Sequence, residues 1–214
     1  MQYFLKSAFT LVFILIGTFI LFSQERDHLY FLETDSTWRK EMFLFPISFA
    51  PNIEYQGVED ARFPAGWSDQ KSPNFWSYAF AWNIEQADEI TAADLEADLQ
   101  IYFDGLMRWD QTKVQLKSTE TGQDVIRYSG SVQTIDALFT KKTMTLKVII
   151  EKKVCPTQEK SILLFRFSPS DFDQAVWKKL DEVKVVEAVA NCGLTQAHEI
   201  HNLVQKCYDY GLFN

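Results

Sequence analysis

Between Asn74 and Phe167 the spacing of apolar residues switches from two to nearly four and back to two, and this constrains the fold more than any other feature. Asn74–Glu85 places Trp76, Tyr78, Phe80 and Trp82 on one face of a strand and Ser77, Ala79 and Ala81 on the other, because successive strand side chains point to opposite sides. The small face suits a closely packed helix. A helix start follows at once. Thr91 and Asp94 are spaced as a near capping box, and Leu95, Leu99, Tyr102/Phe103 and Leu106 recur at helical spacing. Asp94, Glu96, Asp98 and Asp104 form the solvated side of that helix.

Period two then returns. Lys113–Thr119 and Asp124–Ile135 flank the turn signal Glu120–Gly122, which predicts an antiparallel hairpin. In Thr143–Val154, Met144, Leu146, Val148 and Ile150 face inward, whereas Thr145, Lys147, Glu151 and Lys153 mostly face outward. Ser161–Phe167 is almost wholly apolar, as a central strand would be. Connections this short require antiparallel pairing, since parallel neighbours need long crossovers. The expected fold class is α+β, an antiparallel sheet of about five to six strands with helices packed on one face.

The flanking segments are less regular. Trp38–Phe45 reads as a strand stopped by Pro46. Pro46–Pro73 carries Pro51, Pro64, Gly57 and Gly66 and no periodicity, and it reads as an ordered loop laid across the domain. Its Phe49, Tyr55, Phe63 and Trp67 argue against disorder. Ser168–Ser170 open a second helix with Phe172, Val176, Leu180 and Val183 as its stripe, ending at Asn191–Gly193. Thr195–Tyr210 is expected to form a last helix, with Ile200, Leu203/Val204 and Cys207 inward.

At the start, Lys6 precedes the apolar run Ala8–Phe22, and Ser23–Arg26 turns abruptly polar. That is the order of a secretory signal peptide, and the run falls short of the roughly 20 residues that span a bilayer as a helix. The expected organisation is a signal peptide over residues 1–23 and a single α+β domain over 24–214, exported to the periplasm or the medium. Leu21 departs from the small residue usual before a cleavage site; an uncleaved N-terminal anchor is the alternative, and cleavage would leave no stable membrane insertion.

Loss of residues 1–23 would leave 20 basic and 29 acidic residues. A chain so acidic is repelled by phosphate backbones, which argues against a nucleic-acid partner. Cys155, Cys192 and Cys207 all lie in the exported part, where one disulfide and one leftover thiol is the simplest arrangement. Three pairings are open. Cys192–Cys207 is favoured as the closest in sequence, and three reduced cysteines packed as small hydrophobes is the rival reading.

Motifs that carry chemistry are few. His198 and His201 share a helix face with Glu199 beside them, but they lack the four-residue spacing of zinc proteases, and neither metal nor cofactor is expected. No nucleophile elbow, P-loop or dinucleotide fingerprint occurs. Acidic neighbours such as Glu59/Asp60 and Asp171/Asp173 arise by chance among 29 acidic residues, so none singles out a catalytic pair. The aromatic strand has two readings. Buried, its rings are core; partly covered by the 46–73 loop, they back a pocket. The candidate binding residues are therefore Glu59, Asp60, Arg62 and Trp67 at the rim with Trp76, Tyr78 and Trp82 behind.

Phe45–Pro51, Ala61–Trp67, Asn74–Trp82 and Leu95–Leu106 together resemble small exported hypothetical proteins of Gram-negative bacteria, over roughly Phe45–Leu106. No activity and no functional residue comes with that resemblance. The expected function is non-enzymatic binding of a small molecule or protein partner through the 46–73 loop and the 74–85 strand. The alternative is a periplasmic or secreted hydrolase using acidic residues in the same cleft.

Overall fold

Alternating apolar residues pair into a large antiparallel sheet in the computed structural model of the chain, which describes residues 30–86, 89–122 and 125–192. The expected signal segment and the expected helix Thr195–Tyr210, with His198, His201 and Cys207, lie outside the described residues. The chain divides into two compact units, Met1–Phe31 and Leu32–Asn214. Of the first, only Tyr30 and Phe31 are described; the fold is that of the second.

Its elements are β1 (Leu32–Glu33), β2 (Arg39–Leu44), β3 (Gly57–Phe63), β4 (Tyr78–Ile84), α1 (Ala92–Met107), β5 (Lys113–Thr121), β6 (Val125–Ile135), β7 (Thr143–Cys155), β8 (Lys160–Ser168), α2 (Ala175–Asp181), β9 (Lys184–Val185) and α3 (Glu187–Ala190). Seven strands form the main sheet in the order β2-β3-β4-β8-β7-β6-β5, and β1 pairs with β9 separately. Every adjacent pair is antiparallel. The expected meander is β5 to β8, and β8 closes onto β4 with Tyr78 opposite Phe167, Phe80 opposite Phe165 and Trp82 opposite Leu163. These rings and aliphatics stack on one face, where Phe80, Trp82, Leu163, Phe165 and Phe167 are inaccessible to water.

α1 lies on that aromatic face. Thr91 caps it in a complete capping box with Asp94. Packing outweighs the cap: Leu95, Leu99, Tyr102, Phe103 and Met107 are all buried, each worth about 1.5–3 kcal/mol against about 1 kcal/mol for a cap. Tyr102 stacks on Phe80 at 5.1 Å and Phe103 meets Phe167 edge-on at 5.5 Å.

Several expectations need correction. The helices do not share one face of the sheet. Arg166 points away from the aromatic side and donates Nε to the carbonyl of Leu180 at 2.9 Å and Nη2 to that of Val183 at 3.0 Å, which places the end of α2 on the reverse side. The helix follows the rings because they offer the larger apolar area. The small face serves a different purpose: in register, Ala79 lies between Arg62 and Arg166, so its methyl group leaves room for two guanidinium groups. The main sheet has seven strands, more than expected, because β3 lies inside the expected 46–73 loop. Its sequence reads as a loop since Glu59, Asp60 and Arg62 interrupt the pattern, yet all three are fully buried. Gly57 allows the entry to β3, at φ +140° with the position of a Cβ only 2.2 Å from the Asn83 carbonyl oxygen.

The expected second helix is also shorter. It stops at Asp181, and Lys184–Val185 pairs with β1 before α3 forms. Val176, Leu180 and Val183 are buried as the stripe requires, whereas Phe172 is exposed. Cys192 is bonded to Cys155, with Cα atoms 5.6 Å apart, and not to Cys207. Cys155 ends β7 and α3 returns beside it, so the partner far in sequence is the one near in space.

Candidate functional site

β3 sends its charged residues to opposite faces of the sheet. Glu59 points under α1, where it accepts hydrogen bonds from Trp82 Nε1 at 2.7 Å and from the Tyr102 hydroxyl at 2.9 Å. Both donors are neutral, and the carboxyl is fully buried. Loss of water therefore dominates. It pushes the Glu59 pKa up to about 8, against the opposing pull of the two hydrogen bonds and with further upward pressure from Asp60 and Glu41. Near neutral pH this side chain is mostly a carboxylic acid in the core.

Asp60 and Arg62 point to the reverse face and pair with each other. Arg62 Nη2 donates to Asp60 Oδ2 at 2.9 Å and to the Leu32 carbonyl at 2.8 Å, while the Leu32 amide donates to Asp60 Oδ2 at 2.8 Å. This buried pair fixes β1 to the sheet. The Asp60 oxygens and both terminal nitrogens of Arg62 bond one another or the backbone, the condition under which buried charge is tolerated.

The remaining expected site residues also disperse. Tyr78 and Trp82 are core residues of β4. Trp76 is buried too, but it sits in the turn before the strand with φ +52° and does not continue the strand alternation. The Tyr78 hydroxyl is buried with no hydrogen-bond partner among the described residues. Trp67 alone reaches the surface, half-buried in a cluster with Phe63 at 4.7 Å and Phe139 at 5.5 Å. Thus Glu59, Asp60 and Arg62 do not rim a common pocket, and of the aromatic set Phe80 and Trp82 seat α1.

An open groove of about 560 Å³ forms instead where the start of the loop meets the end of α1. Phe49 and Asn52 line one side; Asp104, Arg108, Trp109 and Asp110 line the other. The loop is held there by Phe49 packed edge-on against Tyr102 at 5.0 Å and by the Tyr55 hydroxyl donating to Asp98 Oδ2 at 2.7 Å. Partial burial pushes the Asp98 carboxyl up to about 6, opposed by that hydrogen bond. Gly105 makes the close approach possible, since a Cβ there would fall 1.8 Å from the Phe49 carbonyl oxygen.

The far side is shaped by the helix terminus. Arg108 adopts the left-handed conformation, φ 53° and ψ 49°, and caps α1 with its backbone N–H. The chain then turns so that the Trp109 amide donates to the Asp104 carbonyl at 2.9 Å and the Thr112 amide to Asp104 Oδ1 at 3.0 Å. Trp109 is left 37% exposed, enough for one indole surface to meet a ligand. Sequence reading missed this groove. Its available signal was the succession Arg108, Trp109, Asp110 just beyond an expected helix end, where an indole has no stripe to join.

A second hollow of about 370 Å³ lies on the reverse face beside β9. Two of its lining charges engage each other: Glu151 lies 3.0 Å from Arg166, and also 3.5 Å from Arg127 outside the hollow. Among the described residues, no three His, Cys, Asp or Glu side chains are placed to hold a metal ion, and no helix is long and apolar enough to cross a membrane. No family model, curated protein or solved structure matches this chain.

Proposed function

We propose that this chain is an exported domain that binds a small molecule or partner without transforming it, through the groove between the start of the 46–73 loop and the end of α1. The observation that carries the reading is the groove itself, an exposed indole and several polar side chains around about 560 Å³ of open space. Glu59 and Asp60 diverge to opposite faces and so cannot act together as a catalytic pair, which must converge on one bond. The Cys155–Cys192 bond fits an oxidising compartment.

Native mass spectrometry of the protein purified from the envelope fraction of its source tests this. A co-purifying small molecule is expected on the natural chain and absent from Trp109→Ala. Retention of the molecule by Trp109→Ala, or a bare natural chain, would reject the groove. N-terminal sequencing of the same preparation should begin near Gln24; an intact Met1 terminus in the membrane fraction would reject cleavage.

A further inference from the structure

The groove also carries an argument about ligand class, which rests on the binding reading above. We propose that it takes a neutral saccharide. Its one exposed aromatic ring system is the Trp109 indole, accompanied by Pro51 and by the partly buried Phe49 and Ile101. The site is open, so a purely apolar ligand would keep much of its surface in water and gain little from binding. A sugar ring uses one flat platform well: its C–H face packs on the indole while its hydroxyl groups stay at the polar edge.

That edge is built for hydroxyl groups. Asp104 and Asp110 accept, Arg108 donates, and Asn52 does both, so the lining offers both donors and acceptors. Two carboxylates against one guanidinium leave the rim with one negative charge in excess. That excess repels phosphate, whereas a neutral polyol meets no repulsion and finds both acceptors and donors at the rim. Asp104 is also preset. The Thr112 amide holds Oδ1, and Oδ2 makes no hydrogen bond among the described residues. Arg108 occupies a left-handed helix end where glycine would be least strained. The arginine side chain at that position lines the groove and supplies its cationic donor.

The test is an NMR titration of the full chain, following the Trp109 indole N–H, with chitohexaose, cellohexaose and maltohexaose, and with choline and anilinonaphthalene sulfonate as contrasting probes. At least one hexasaccharide is expected to shift that signal. Calorimetry should show the same sugar binding about tenfold or more weakly to Asn52→Ala, whose exposed side chain carries no part of the core. Trp109→Ala should abolish binding with its unfolding midpoint unchanged. If choline or the naphthalene dye alone shifts Trp109, the saccharide class is overturned and the groove reading stands. If no probe shifts it, both fall. Cleavage of a bound hexasaccharide would support the ligand class and overturn the non-catalytic reading.

Discussion

Glu59→Gln turns the carboxyl beneath α1 into an amide of nearly the same shape that cannot ionise. In the unfolded chain the carboxyl titrates near its ordinary 4.5, whereas in the folded protein burial raises it to about 8. The folded state therefore holds a proton that the unfolded state releases. The resulting stability is fully present below pH 4.5 and is lost as the pH rises through 8. Each pH unit in that window removes about 1.4 kcal/mol. By pH 7 the natural protein has lost about 3 kcal/mol, a large share of the 5–15 kcal/mol typical of a domain. The amide keeps an acceptor for Trp82 but offers N–H rather than oxygen to the Tyr102 hydroxyl, a mismatch worth about 1 kcal/mol. Glu59→Gln should thus be about equal to the natural protein at pH 5 and more stable by about 2 kcal/mol at pH 7. Urea unfolding of both proteins at pH 5, 6, 7 and 8, followed by tryptophan fluorescence, measures the gap, and all other titrations cancel in the difference. A gap independent of pH would refute the account of a neutral buried carboxyl.

Breaking the reverse-face pair should be costly: Asp60→Ala leaves Arg62 charged in the core and should lose about 3–5 kcal/mol, with faster hydrogen exchange at Leu32 than at the centre of β8. Reduction of Cys155–Cys192, which spans 37 residues, should cost about 4 kcal/mol by loop entropy. A lowered melting temperature under dithiothreitol checks this, and a Cys192–Cys207 peptide in a non-reducing digest would refute the pairing. Gly105→Ala should destabilise by about 1–3 kcal/mol, because crowding against Phe49 outweighs a gain of about 1 kcal/mol in helix propensity; a raised unfolding midpoint would mean that the loop does not press on α1.

Much of the fold was legible because its signals are local. The two-residue period of β4 and β7, the apolar run of β8, the turn between β5 and β6, and the Thr91–Asp94 cap each lie within a few residues of the structure they specify. β3 was not legible, because its stability resides in partners that no short window contains. Glu59 is accommodated by Trp82 and Tyr102, and Asp60 with Arg62 by the backbone of Leu32. Read without those partners, three charged residues within four positions look like a loop.

The same separation explains the site. Sequence identified Trp76, Tyr78, Phe80 and Trp82 as a set, but not whether water or a helix would meet them, since an apolar stripe is compatible with both. α1 covers Phe80 and Trp82 because Tyr102 and Phe103 offer it the larger apolar contact. The groove that remains open joins Phe49 and Asn52 to residues 104–110, segments brought together by the absence of a side chain at Gly105 and by the ring of Tyr102. Periodicity along the chain determined which residues would form strands and helix. Which surfaces would stay exposed was decided by contacts between distant segments, because burial is a property of the packed whole.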